Sequence, residues 1–240
     1  MSDYHRILVM RHPQTTANID HILSGRSDVD LTEEGARPLF RAARAVVAWR
    51  PDRIWVSPLS RCKAIGEEAA AALGIPCEVH PNLAEIEFGP VQGLTSAKLR
   101  DQGYDFPWRL DERGRSVCPA GAESFEELIA RAGRLLDELR PLSGRTVCIT
   151  HGGFTRGLLA AVMGTPLTTF WNVRLPNVSS QVLTCDGKTF TLAGLALAPE
   201  EVIQRMEHPE LLGIDTTAAN ELGSGSSTAT NTSAPGITEP

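Results

Sequence analysis

The sequence predicts an α/β fold, a three-layer sandwich in which helices cover both faces of a mostly parallel central sheet. Three short β-rich segments, at 6–10, 53–56 and 146–150, are each bounded by polar or turn residues, as buried strands are. Segments with helical signals separate these strands along the chain. Strands that alternate with helices are typical of parallel sheets, because a parallel pair of strands needs a crossover connection.

Capping residues indicate where the helices begin and end. Thr32 precedes two glutamates and predicts a helix start, while Pro38 lacks an N–H donor and interrupts the same helix. Gly74 ends a second helix, and Ser124 with Glu127 forms a capping box for a third. The predicted helices cover residues 33–50, 58–73, 125–139 and 157–163.

Composition excludes several classes of protein. Of the 240 residues 42% are hydrophobic and 22% are charged, as in a globular protein with a packed core. The net charge of −6 argues against a nucleic-acid partner. The longest apolar stretch, 157–163, is too short to cross a membrane, and the polar N-terminus lacks a signal peptide, so we expect a cytoplasmic protein. Five widely spaced cysteines, an odd number, indicate free thiols rather than disulfides or a zinc site.

The predicted domain organisation is a single α/β domain over 1–215. Within it, 89–121 is rich in Gly, Pro and Arg, and we expect this segment to be an excursion over one end of the sheet. Residues 216–240 are rich in Ser, Thr, Gly and Pro and contain few large apolar side chains. Such a segment buries too little surface to offset the entropy of ordering, so it is predicted to be a disordered tail.

Basic side chains follow all three predicted strands. Arg11 and His12 end the first, Arg61 comes shortly after the second, and His151 follows the third. Because the carboxyl ends of parallel strands share one edge of a sheet, these groups are expected to converge. A cluster of cations in an acidic protein favours an anionic ligand such as a phosphoryl group. Two histidines suggest a nucleophile and a second group that stabilises charge, and Glu85 is a candidate acid for the leaving group.

These residues also resemble a known family. Arg11-His12-Pro13 is similar to the Arg-His-Gly signature of the histidine phosphatase (phosphoglycerate mutase-like) superfamily, although proline replaces the usual glycine. The likeness spans about 6–195, and further segments resemble motifs of that family: Asn18, 24–35, 57–62, 85–89, 120–124 and 150–153. The resemblance implies a phosphoglycerate mutase-like fold.

The resemblance also implies a role for each residue. His12 would become phosphohistidine, and Glu85 would protonate the leaving oxygen and later help to activate water. The phosphoryl oxygens would be held by Arg11, Arg61 and His151. The phosphate or substrate pocket would be lined by Asn18, Ser24, Gly25 and the backbone of Gly152. No metal and no cofactor would be needed.

The predicted activity is that of a histidine acid-type phosphatase acting on a small phosphorylated metabolite, in a monomer or homodimer. Two alternatives stay open. A cofactor-dependent phosphoglycerate mutase shares the same core, but the 66 residues from Glu85 to His151 are fewer than the family's mutases carry. A non-catalytic protein that binds a phosphorylated ligand would use the same arginines, and Pro13 is the feature that favours it.

Overall fold

The computed structural model describes residues 4–208, and the predicted tail at 216–240 lies outside them. The strands of this part of the chain are β1 His5–Arg11, β2 Arg53–Val56, β3 Cys77–Val79, β4 Arg109–Leu110, β5 Ser116–Val117, β6 Arg145–Thr150, β7 Ser180–Cys185 and β8 Phe190–Leu197. The α-helices are α1 Thr16–Ile19, α2 Glu33–Ala36, α3 Leu39–Trp49, α4 Ser60–Leu73, α5 Ser96–Asp101, α6 Phe125–Leu139, α7 Gly152–Met163 and α8 Pro199–Glu207. None of the described helices is long and apolar enough to cross a membrane.

The central sheet has the strand order β3-β2-β6-β1-β7-β8. The first four strands are parallel, which confirms the predicted mostly parallel α/β sheet. Strands β7 and β8 extend it with antiparallel pairs beside β1, and the sequence patterns missed both. Because β1 and β6 are neighbours, Arg11 pairs with Thr150 in their register, next to His151.

Helices pack on both faces of this sheet. Alternate residues of β1 point to opposite faces: Ile7 joins the core formed with α6 and α7, whereas Leu8 joins the core formed with α3 and α4. Both cores are closed by fully buried aliphatic side chains, such as Leu128 from α6 and Val46 from α3. The sheet edge that holds the carboxyl ends of the parallel strands is therefore supported from two sides.

Helix boundaries differ from the predicted ones where the chain leaves a strand. The predicted helix over 33–50 is divided at Pro38 into α2 and α3, as its missing donor requires. The helix predicted at 157–163 begins five residues earlier at Gly152, directly after β6 and His151. The region 89–121 contains α5 and the β4–β5 pair, and its Trp108 packs edge-on against Phe106. The start of α7 at Gly152 places the N-terminus of this helix next to the carboxyl end of β6.

Candidate active site

The structure brings together the two histidines that follow β1 and β6. Their ring centroids are 5.1 Å apart, and the rings are inclined by 55°. Both side chains are buried, with exposed fractions of 3% for His12 and 0% for His151. The backbone continues the pairing of the two strands, because His12 N–H donates to the Thr150 carbonyl at 2.9 Å.

His12 is held in one tautomer. Its Nδ1 lies 2.6 Å from the carbonyl oxygen of Pro13, which can only accept, so Nδ1 carries the proton and Nε2 has a free electron pair. Burial, reinforced by the charges of Arg11 and Arg61, holds the pKa of His12 well below its usual value. The contact uses a main-chain carbonyl, which proline supplies as well as glycine. Pro13 is therefore compatible with a neutral, oriented imidazole.

His151 makes two hydrogen bonds through its ring. Arg61 Nε donates to its Nδ1 at 3.2 Å, so the proton lies on Nε2, which is 2.6 Å from the Ser57 hydroxyl. Cys62 Sγ lies 3.4 Å from the same Nε2. Burial and the neighbouring His12, Arg61 and Arg11 lower the pKa of His151 well below its usual value. Sequence reasoning assigned no role to Ser57, although it is the first residue after β2.

Arg61 is oriented by the loop that contains Gly25. Its Nη2 donates to the Gly25 carbonyl and its Nη1 to the Ser27 carbonyl, both at 2.7 Å. Gly25 has φ +48°, and a β-carbon there would lie 2.5 Å from Gln92 Oε1, so glycine is required. The predicted pocket residue Gly25 thus acts through its carbonyl on the arginine.

Arg11 leaves part of its guanidinium group unused. Its Nη1 donates to the Leu175 carbonyl at 2.5 Å, while its Nε is buried and lacks a partner among the described residues. A β-carbon at Gly152 would lie 3.1 Å from that Nε. A buried donor without a partner is costly, and a bound anion would satisfy it.

Glu85 lies at the N-terminus of α7. Its Oε1 accepts from the N–H groups of Ile86 and Phe154 at 2.9 Å, and its Oε2 accepts from Gly153 N–H at 3.1 Å. A β-carbon at Gly153 would lie 2.5 Å from Oε1, so glycine there makes room for the carboxyl group. The predicted acid therefore comes from a fourth loop to the N-terminus of the helix that begins directly after His151.

A buried ion pair supports the loop that carries Glu85. Arg131 and Glu123 approach to 2.7 Å, with side-chain exposed fractions of 7% and 10%. The same guanidinium group donates to the carbonyls of Asn82 and Ala84 at 2.8 and 2.7 Å. Both partners were missed as site residues, although Glu123 belongs to the segment 120–124 that resembles a family motif.

The remaining two predicted residues, Asn18 and Ser24, lie on α1 and in the loop that holds Arg61. Asn18 Oδ1 accepts from Asn177 Nδ2 at 3.2 Å, and the same Nδ2 donates to the His12 carbonyl at 3.1 Å. Ser24 is half-buried, and its carbonyl accepts from Ser27 N–H at 2.9 Å within the loop that holds Arg61. Asn177 had no recognisable signal in the sequence, because it arrives from a loop far along the chain.

The sequence model of the histidine phosphatase superfamily (branch 1) matches residues 7–197. This chain belongs to that superfamily. The chain is 29% identical over 178 residues to glucosyl-3-phosphoglycerate phosphatase of Mycobacterium tuberculosis. The alignment covers 68% of this chain and 77% of that protein. It is 26% identical over 193 residues to putative phosphoserine phosphatase 2 of Hydrogenobacter thermophilus, covering 79% of this chain and 94% of that one.

Solved structures of the superfamily share the fold. The mycobacterial glucosyl-3-phosphoglycerate phosphatase superposes with a TM-score of 0.71 at 25% identity, covering 81% of this chain and all (100%) of that one. Bacillus stearothermophilus YhfR superposes with a TM-score of 0.73 at 25% identity, covering 81% and 98%. The predicted phosphoglycerate mutase-like fold and membership of the phosphatase branch are confirmed.

Proposed function

We propose that the protein is a metal-independent phosphomonoesterase that works through a phosphohistidine on His12. The observation that carries this proposal is the buried imidazole of His12, whose Nδ1–H is held by a carbonyl and whose Nε2 electron pair is free. A neutral imidazole beside two guanidinium groups is suited to attack a phosphorus atom that those groups hold. Arg11 and Arg61 then supply the charge stabilisation that a metal ion supplies in other phosphoryl transferases.

The reaction has two steps. In the first, Nε2 of His12 forms a bond to phosphorus while the ester P–O bond breaks, and the carboxyl group of Glu85 gives its proton to the leaving oxygen. In the second, water attacks phosphorus and the P–N bond breaks, while Glu85 takes up the proton of the water. Each step preserves charge and protons, and the enzyme returns to its starting state.

His151 and the flanking loops complete the proposed phosphate site. We assign His151 Nε2–H to a phosphoryl oxygen, which would replace the Ser57 hydroxyl that accepts from it at 2.6 Å in the structure. We assign the lining of the pocket to Asn18, Ser24 and the Gly152 backbone, whereas Gly25 acts through its carbonyl, which accepts from Arg61. Relatives named as phosphatases of glucosyl-3-phosphoglycerate and of phosphoserine support a small phosphorylated metabolite as substrate.

Release of phosphate from p-nitrophenyl phosphate in the presence of EDTA tests the proposal. His12→Ala is expected to reduce release to background, whereas substitution of the exposed His21 by Asn serves as the matched control. Rapid quenching in alkali is expected to trap phosphate on His12, since phosphohistidine survives base and not acid. Unchanged release from the His12→Ala protein would contradict the assignment.

The two alternatives predict different results. Incubation with 3-phosphoglycerate and a bisphosphoglycerate primer would give isomerisation faster than phosphate release if the protein were a mutase. Binding of phosphate without turnover of any ester would indicate a non-catalytic binding protein.

A further inference from the structure

A third arginine lies beside the proposed phosphate site. Arg156, on the second turn of α7, donates from Nη1 to the Gly152 carbonyl at 3.0 Å and from Nε to the Val173 carbonyl at 3.2 Å. Its Cζ lies 4.8 Å from the ring centroid of Trp171. Two backbone contacts and one aromatic face hold the guanidinium group in place.

Arg156 and Arg11 border the same space. A β-carbon on Gly152 would lie 3.3 Å from Arg156 Nη1 and 3.1 Å from Arg11 Nε, closer than ordinary contact, so glycine allows both guanidinium groups to lie against the same backbone position. Arg11 Nε is the buried donor that lacks a partner among the described residues. Within residues 4–208 the other N–H groups of Arg156 make no hydrogen bond. Burial, together with the charge of Arg11, lowers the pKa of Arg156.

The charges around this space are unbalanced. Arg11, Arg61 and Arg156 are three cations, and Glu85 is the carboxylate whose charge acts on all of them. Asp28 also acts on Arg61, but it is exposed and solvent screens it. A phosphomonoester dianion offsets two positive charges. When Glu85 carries the proton that the first step needs, one positive charge remains without a partner.

We propose that Arg156, held on Trp171, binds a carboxylate of the substrate, so that the preferred substrates are phosphomonoesters whose alcohol also bears a carboxylate. The inference rests on the proposed phosphatase function. One guanidinium group matches one carboxylate in charge and in planar shape. A second phosphate would bring two charges to a position that offers a single additional cation.

A matched pair of substrates tests this proposal. 3-Phosphoglycerate and racemic glycerol 3-phosphate differ in having a carboxylate or a hydroxymethyl group at the same carbon. We expect kcat/KM of the unmodified protein to favour 3-phosphoglycerate about ten- to hundred-fold, the range for charge-assisted hydrogen bonds. Arg156→Gln should bring that ratio close to one, mainly through KM, and Arg156→Lys should retain an intermediate ratio because it keeps the charge without the planar group.

The control is Arg134→Gln, which removes an exposed arginine on α6 and should leave the ratio unchanged. Equal losses on both substrates in Arg156→Gln would show a purely structural role and overturn the proposal, as would a ratio near one in the unmodified protein. The unmodified protein could instead prefer fructose 1,6-bisphosphate over fructose 6-phosphate and show no preference for 3-phosphoglycerate. If Arg156→Gln then removed the preference for the bisphosphate, Arg156 would be assigned to a second phosphate and the proposal would be overturned. Absence of phosphate release from every ester would refute the phosphatase function itself.

Discussion

Substitution of Gly153 by alanine tests the role of Glu85 without changing a charge. The added β-carbon would lie 2.5 Å from Oε1 and 3.1 Å from Cδ of Glu85, so the carboxyl group must move by roughly 1 Å to reach ordinary contact distance. After that movement the carboxylate oxygens would no longer be aligned with the N–H groups of Gly153 and Phe154, which donate to them. A displacement of that size in a positioned catalytic group costs on the order of 100-fold in rate.

The loss should depend on the leaving group. Glycerol 3-phosphate releases an alkoxide that needs a proton, so we expect kcat/KM to fall about 100-fold in Gly153→Ala. p-Nitrophenyl phosphate releases a stable phenolate, and its loss should be at least about ten-fold smaller. Steady-state assays of both esters measure the difference. An equal loss on the two substrates, or none on the alkyl ester, would refute the assignment of Glu85 as the acid.

A second glycine provides the control for stability. Gly133, inside α6, has open space where a β-carbon would lie, so Gly133→Ala should add about 0.5–1 kcal/mol to the free energy of unfolding with unchanged activity. Gly153→Ala should melt lower than the unmodified protein, because its β-carbon is forced against Glu85 and would lie 3.2 Å from Ile86 Cγ2. Both esters are therefore assayed well below the melting temperature of this variant. Reduced activity in a fully folded variant then reports on Glu85.

Three further predictions concern the buried polar groups. Burial lowers the pKa of His5 below its usual 6.5, so below that pH the unfolded chain binds more protons than the folded protein. The free energy of unfolding should therefore fall as the pH drops under 6.5. The fall should be less steep in His5→Gln. Arg131→Met leaves Glu123 buried without its partner and should cost about 3–5 kcal/mol in a denaturant titration, much of which a further Glu123→Leu change should restore. Burial raises the pKa of the Cys62 and Cys148 thiols, so a disulfide reagent should label neither until the chain unfolds; peptide mapping of the folded protein checks this.

Local signals in the sequence were sufficient for several elements. The helix start at Thr32 and the capping box of Ser124 with Glu127 depend on contacts within four residues, and both occur as predicted. The three predicted strands are apolar on both faces because helices cover both sides of the sheet. They are therefore recognisable as continuous runs of apolar residues. By contrast β7 combines Ser180 and Gln181 with apolar residues, and its pairing with β1 and β8 makes it a strand.

The sequence alone predicted the candidate site residues, because each follows a strand or belongs to a recognisable motif, and the structure brings His12, Arg61 and His151 together. Tertiary structure decided how those groups are held. Asn177 reaches the His12 carbonyl across 165 positions, and Glu85 meets the N–H groups of a helix that begins 67 residues later. These contacts join segments that approach only after the sheet has formed, so no pattern of neighbouring residues encodes them. The same packing places Arg156 beside Arg11, a charge arrangement that depends on where the end of β1 meets the first two turns of α7.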